Sequence, residues 1–369
     1  MTDAADDRRW MELALRLARA AVGDTAENPP VGCVLVRGGR VVGRGRTAAG
    51  GRPHAEAVAL AQAGAAERGA TAYVTLEPCA HHGRTPPCAE ALVAAGVARV
   101  VAAVGDPDPR VDGGGFEILR RAGIAVTVGV GEQAAARAAE GFLARVAAGR
   151  PHVTLKLATS LDGRIATASG ASRWITGAAA RAHAHAMRAR QDAILVGIGT
   201  ALADDPALTC RAPGLAGRSP VRVVLDSSLR LSPDSSLVRT ARAAPTWVVT
   251  CTDHDGGRAA ALVARGVEVI AAEPDGTGRP AIAAALVALA GRGIGRLLVE
   301  GGAGVARSVV AAGLVDEIAW YRAPMLLGGD GLAAVDPLRA ATPADAPRFE
   351  RQGCTVLGED VLETYRRRP

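Results

Sequence analysis

The chain has 369 residues, 49% hydrophobic and 22% charged, a globular composition with room for about two domains of roughly 150 residues. This excludes a disordered linker, a collagen-like repeat and a small disulfide scaffold, and no run reaches the ~18 apolar residues of a membrane-spanning helix. The net charge is +6, from 43 Lys+Arg against 37 Asp+Glu; the arginines are scattered and aromatics are few, so an anionic small-molecule substrate explains the excess as well as nucleic acid does. The longest apolar run, Ala281 to Gly291, stops at Arg292. Asp3, Asp6, Asp7, Arg8 and Arg9 leave no apolar segment near the amino terminus, so a cytoplasmic location is expected.

In chain order, Trp10 to Val22 places Leu13, Ala14, Leu17, Ala18 and Ala21 on one face, which predicts an amphipathic helix. After the turn Asn28-Pro29-Pro30, strands over Val31 to Val36 and Val41 to Gly45 meet at Gly38-Gly39 as a hairpin. A helix over Ala55 to Glu67, a strand over Ala72 to Leu76, a helix over Ala89 to Ala95 and a strand over Arg99 to Val104 follow. A helix over Phe116 to Ala122, a strand near Ile124 to Val128 and a helix over Glu132 to Ala147 complete an α/β layer sandwich. Gly149-Arg150-Pro151 then breaks the pattern, which sets a domain boundary near Ala148 and divides the chain into 1–148 and 149–369. A second α/β series has strands at His152 to Ala158, Ala193 to Val196, Val221 to Leu225, Thr246 to Thr250, Val267 to Ala271 and Arg296 to Val299. The stretch from Asp330 to Pro369 gives no reading.

Six cysteines in a cytoplasmic chain do not suggest a disulfide framework. Cys33 sits in an apolar run and reads as core, and the isolated Cys210, Cys251 and Cys354 read as small buried hydrophobes. Cys79 and Cys88 differ. Each follows a proline, which predicts a helix start, and a helix amino terminus draws a thiol toward the thiolate that binds metal. With His54 they make a three-ligand zinc set whose fourth tetrahedral position is free for water. Glu56, two residues beyond His54, lies beside such a metal without ligating it. The metal acidifies the water, and the glutamate passes its proton to the substrate nitrogen and then to leaving ammonia. Taken singly, His54 and Glu56 are helix-start residues and the cysteines are core; their joint occurrence favours a metal. His81 and His82 compete as ligands on count alone, but His54 completes the set and the loop histidines suit the substrate better.

The His-x-Glu and paired-Cys pattern resembles the zinc-dependent cytidine deaminase superfamily. Nucleoside and nucleic-acid deaminases commonly space the cysteines as C-x-x-C, whereas here Ala80 to Pro87 lie between them. The stretch Glu77 to Cys88, Asn28-Pro29-Pro30-Val31-Gly32 and Gly105-Asp106-Pro107-Asp108-Pro109 resemble the pyrimidine deaminase domain of the bifunctional riboflavin-biosynthesis deaminase–reductases. Two departures stand out: Ala80 where the family usually has Ser, and Gly114 where it usually has Lys or Arg. The second removes a cation that helps hold substrate phosphate.

Lys156 is the only lysine in the chain and alternates into the apolar run Leu155-Lys156-Leu157. A strand ending at Val299 delivers Glu300-Gly301-Gly302-Ala303-Gly304 into a helix, a turn whose backbone N–H groups can approach phosphate, although it is not the dinucleotide fingerprint. The order of these segments resembles the reductase half of the same family. The resemblance covers about Trp10 to Gly329 and implies a cytidine-deaminase-like α/β/α sandwich followed by a dihydrofolate-reductase-like α/β domain. It implies Zn2+ and NADPH as cofactors. NADPH contacts would fall at Ala158, Trp174, Thr200, Asp204, Ser227 and the run Gly302, Ala303, Gly304, Val305, Ala306, Arg307, Ser308. Substrate contacts would fall at Asn28, His81, Ser172, Arg188, Leu208, Arg211 and Glu300. Fixed guanidinium forks suit phosphate at the two arginines, and Lys156 is expected to orient or protonate the opening ribose. The implied activity is deamination of 2,5-diamino-6-(5-phosphoribosylamino)pyrimidin-4-one followed by reduction of the ribosyl chain to ribityl, in a homodimer joined through the second domain, without nucleic-acid or membrane partners. Two other readings stand beside it. One is a tRNA or nucleoside deaminase with an accessory domain, suggested by the basic pI; the other is a non-catalytic protein with a structural zinc, which calls for a fourth protein ligand.

Overall fold

A computed structural model describes residues 4–83 and 86–368, so Arg84 and Thr85 of the inter-cysteine stretch lie outside the described residues. The chain divides into two compact units, 1–150 and 151–369. The division falls between Arg150 and Pro151, just past the helix that ends at Ala148 with Gly149 left-handed behind it.

The first unit runs α1 (Ala4–Ala21), β1 (Gly32–Arg37), β2 (Arg40–Arg46), α2 (Ala55–Ala63), β3 (Thr71–Val74), α3 (Cys88–Ala94), β4 (Arg99–Ala102), α4 (Gly114–Arg121), β5 (Ala125–Val128) and α5 (Glu132–Ala148). Its sheet has the order β2-β1-β3-β4-β5, with β1 antiparallel to both neighbours and β3, β4 and β5 parallel. On one face Met11, Ala14 and Leu15 of α1 pack against Val34, Tyr73 and Val101. On the other, Ala55 and Ala59 of α2 and Leu92 of α3 pack with Leu35 and Val74. Asp7 of α1 accepts both prongs of the Arg99 guanidinium at 2.8 Å and the Tyr73 hydroxyl at 3.0 Å, fastening that helix to the sheet. The predicted helix over Ala55 to Glu67 is α2 followed by a 3-10 turn, because Gly64 takes a φ of 52° and breaks the α-ladder.

The second unit runs β6 (His152–Thr159), β7 (Arg164–Ala166), α6 (Ala178–Arg188), β8 (Ala193–Gly197), α7 (Ile198–Asp204), β9 (Val221–Leu225), α8 (Ser236–Arg239), β10 (Thr246–Cys251), α9 (Gly256–Ala264), β11 (Glu268–Ala272), α10 (Ile282–Ala290), β12 (Arg296–Gly301), α11 (Ala303–Ala311), β13 (Glu317–Arg322), β14 (Leu332–Ala333), β15 (Phe349–Leu357) and β16 (Asp360–Arg367). Nine strands form one sheet in the order β11-β10-β9-β8-β12-β6-β13-β16-β15, parallel from β11 to β13 and closed by the antiparallel β16 and β15. Val153, Leu155, Leu195, Leu297 and Val299 fill one face with α10 and α11, and Ile194, Val224 and Val248 fill the other with α8 and α9. Beyond Asp330, Phe349 to Arg367 therefore form a hairpin on the sheet edge, while β14 pairs with β7 in a separate two-stranded sheet. Cys210 and Cys251 are buried as expected, whereas Cys354 is exposed on β15, since that strand is the outermost of the sheet. Among the described residues no helix is long and apolar enough to cross a membrane.

Candidate active sites

In the first unit, two glycines of β2 decide where α2 lies. A Cβ at Gly45 would sit 2.2 Å from the Ala55 carbonyl oxygen, and one at Gly43 would sit 2.2 Å from that of Ala59. Only bare backbone admits the helix so closely, and the helix brings with it His54 at its N-cap and Glu56 in its first turn. Cys88 opens α3, as expected. Cys79 does not open a helix; it lies in the loop after β3, where its Sγ accepts the Cys88 backbone N–H at 3.2 Å. Both sulfurs thus gather at the α3 amino terminus, although only one belongs to the helix.

His54 Nδ1 lies 3.7 Å from Cys79 Sγ and 3.4 Å from Cys88 Sγ, and the three donor atoms fall within 4.8 Å of one another. Zinc–nitrogen bonds of about 2.0–2.1 Å and zinc–sulfur bonds of about 2.3 Å, at tetrahedral angles, put such N and S atoms about 3.6 Å apart. The donor set therefore fits zinc in kind and in spacing. The Cys88 thiol and the His54 imidazole both donate to Cys79, pulling its pKa down to about 4 against its burial, while the Cys88 thiol is held far above its ordinary value by the same bond to Cys79 and by burial. Glu56 is 4% exposed; burial, then the Cys79 thiolate, push its carboxyl up to about 7. A carboxyl poised there can both take and return a proton near neutrality.

The wall of this site is fixed by Glu77, buried two residues before Cys79. Its carboxylate accepts the backbone N–H groups of Asp106 at 3.2 Å, Gly113 at 3.2 Å and Phe116 at 3.1 Å. At Gly115 a Cβ would meet the Pro78 carbonyl oxygen at 2.0 Å, so the loop lies flush against the cysteine-bearing segment. Asn28 packs on Gly51, whose Cβ would come 2.3 Å from Asn28 Nδ2. His81 keeps Nδ1 buried without a hydrogen-bond partner.

In the second unit, a cleft of about 740 Å³ opens at the carboxyl ends of β8, β12 and β6. Its charged centre is Glu300 at the end of β12, which accepts Arg188 Nε at 2.7 Å and Nη2 at 2.8 Å. Lys156 Nζ, on the adjacent β6, stands 3.8 Å from the same carboxylate and 5.9 Å from the centre of the Tyr321 ring. Burial opposes ionisation of Glu300, but Arg188 and Lys156 outweigh it and hold the carboxyl below its ordinary value.

Two family models match in tandem. Residues 4–104 match the cytidine and deoxycytidylate deaminase zinc-binding region, and residues 151–362 match the RibD C-terminal domain. The riboflavin biosynthesis protein RibD of Bacillus amyloliquefaciens is 43% identical, over 96% of this chain and 95% of its own length. That of Escherichia coli strain K12 is also 43% identical, over 96% and 98%. The chain belongs to the RibD family. The solved Acinetobacter baumannii RibD superposes with a TM-score of 0.89 at 38% identity and complete coverage of both chains. A Thermotoga maritima structure described as a diaminohydroxyphosphoribosylaminopyrimidine deaminase/5-amino-6-(5-phosphoribosylamino)uracil reductase superposes at 0.87, with 33% identity and 99% of both chains covered. This RibD-family chain thus joins a zinc-binding deaminase region to a RibD reductase domain.

The structure gathers His54, Glu56, Cys79 and Cys88 at one point. Ala158, Ser172, Trp174, Thr200, Asp204, Leu208 and Arg211 line the RibD-domain cleft together with Lys156, Arg188 and Glu300. Ser227 lies outside that lining, just past β9, where its carbonyl accepts the Thr250 hydroxyl. The run from Gly302 to Ser308 is split by helical geometry. Gly302 abuts the Thr200 hydroxyl, and Ala303 and Gly304 begin α11. Val305 packs over Gly197, Ala306 is buried in the core, Arg307 donates to the Pro337 carbonyl, and the Ser308 hydroxyl bonds back to Gly304. His185 also lines the cleft and was missed in the sequence. The available signal was its position one turn before Arg188 on one helix face.

Proposed function

We propose that the chain catalyses two successive steps of riboflavin biosynthesis. The first unit, 1–148 by its sequence limits, hydrolyses the 2-amino group of 2,5-diamino-6-(5-phosphoribosylamino)pyrimidin-4-one to ammonia. The second, 149–369, reduces the ribosyl side chain to give 5-amino-6-(5-phosphoribitylamino)uracil. The observation that carries the reading is the convergence of one imidazole and two sulfurs at zinc spacing, with a buried carboxylate beside them that is not itself among the donors.

His54, Cys79 and Cys88 would hold zinc, which would supply an acidified water as nucleophile. Glu56 would take one proton of that water and deliver it to the ring nitrogen, then pass the second, from the added hydroxyl, to the departing amine, so that ammonia leaves neutral. Asn28 and His81 hold the pyrimidine. NADPH would supply the hydride in the second cleft. There Lys156 steadies the ribose as its ring opens and gives a proton to the ring oxygen, while Glu300 and Arg188 keep the ammonium in place. Ser172, Leu208 and Arg211 seat the phosphoribosyl group. Ala158, Trp174, Thr200, Asp204 and Ser227 seat the cofactor, with the backbone of Gly302, Ala303 and Gly304 supplying N–H groups to its phosphates; Val305 to Ser308 support that turn from within the helix.

The same reading makes the protein a cytoplasmic homodimer joined through the second unit. Four cysteines outside the metal set, Cys33, Cys210, Cys251 and Cys354, are unpaired thiols, which suits a reducing compartment, and the edge strand β15 leaves Val356 71% exposed. The test is mass spectrometry of products from zinc-loaded protein, the diaminopyrimidine substrate and NADPH. A species both deaminated and reduced is expected; an unchanged substrate with zinc bound would overturn the proposal.

A further inference from the structure

Leu208 and Arg211 line one wall of the reductase cleft, and the segment they bound belongs to no helix or strand. Leu208 is buried with a φ of 50°, a conformation that a lone loop would not choose. One face of α6 holds the segment. Arg188 Nη1 donates to the Thr209 carbonyl at 2.9 Å, and the Cys210 thiol donates to the His185 carbonyl at 3.1 Å. The Arg211 backbone N–H donates to His185 Nδ1 at 3.2 Å, which leaves Nε2 to carry the ring's hydrogen, so the 3.2 Å approach of Arg211 Nη2 to Nε2 is a packing contact and not a hydrogen bond. Burial, then Arg188 and Arg211, keep the imidazole below its ordinary pKa, which preserves the acceptor. Arg188 is committed to Glu300, whereas Arg211 has no carboxylate partner among the described residues. Arg211 is thus the cation on this wall left to meet a phosphate.

We propose that His185 is a positioning residue of the reductase, which anchors the Arg211 backbone and sets its guanidinium to receive the phosphate of the ribosyl substrate. This rests on the reading of the cleft given above.

The experiment follows NADPH oxidation by the full-length, zinc-loaded protein with the deaminated phosphoribosyl substrate and with its dephosphorylated analogue. In H185A the KM for the phosphorylated substrate should rise about tenfold, with kcat and the KM for NADPH within about twofold of the parent. H185N, whose side-chain oxygen can still accept the Arg211 N–H, should recover most of that loss. In an R211A background H185A should add nothing, since both changes then remove one interaction. For the dephosphorylated analogue H185A should have no effect. An equal rise in KM with or without Arg211, an equal rise for both substrates, an unchanged KM in H185A, or a loss confined to kcat would each overturn the role of His185. A parent protein that fails to oxidise NADPH with either substrate would instead overturn the reading of the cleft.

Discussion

In the first unit, three donor atoms from a helix cap, a loop and a second helix start lie 3.4–3.7 Å apart across each N–S pair. In the second unit the decisive charges, Lys156, Arg188 and Glu300, sit on two strands and a helix around a cleft of about 740 Å³. The first site is small because a metal gathers its ligands within bond length, so side-chain chemistry alone identifies it. The second must hold two extended molecules at once. Much of it is wall and backbone, and its one tight cluster is spent on orienting a single ammonium group. A site built around an ion announces itself by residue type, whereas a site built around a cofactor announces itself by shape.

Breaking one site while leaving the other intact tests this contrast most strongly. Glu56→Gln should retain zinc by elemental analysis yet lower ammonia release by about 10²–10⁴-fold, the range of general acid–base catalysis, while reduction of supplied deaminated substrate stays unchanged. Loss of zinc in that variant would make Glu56 part of the metal's support instead. Lys156→Ala should lower reduction by about 10²-fold or more and spare deamination; a parallel fall in both rates would show that the lysine supports the fold. The smallest effect is expected at the wall of the zinc site. Glu77→Gln cannot satisfy all three N–H groups of the loop from Asp106 to Phe116, and should cost about 1–3 kcal/mol by denaturant unfolding. It should also raise the KM for the diaminopyrimidine several-fold, with zinc content unaltered.

The sequence carried most of the first unit because its strands are short apolar runs punctuated by glycine and proline, and because His54, Glu56, Cys79 and Cys88 are chemically distinctive. The helix at Cys79 was misread: proline suits a helix start, but the chain stays in a loop and the sulfur takes an N–H from its partner's helix instead. The carboxy-terminal hairpin was illegible for a different reason. β15 is exposed along most of its length, so it shows no alternation of burial, and it owes its conformation to the ladder it shares with β16. In the cleft, His185 escaped notice because its role depends on the Arg211 backbone, 26 positions away along the chain, and no local pattern encodes such a meeting. The run from Gly302 to Ser308 reads as one motif along the chain, but none of it lines the cleft: Gly302 abuts Thr200, and α11 sends Val305 against Gly197, Ala306 into the core and Arg307 outward.

Lys156 is the sole lysine of the sequence, and its side chain is 18% exposed at the floor of the reductase cleft. Apart from the α-amino group, the chain therefore carries one primary amine, and it stands where hydride transfer is proposed. Once the α-amino group is blocked, an acylating reagent has one lysine amine to report on. The rate of its attachment there measures how far the cleft is occupied, with no other lysine to compete.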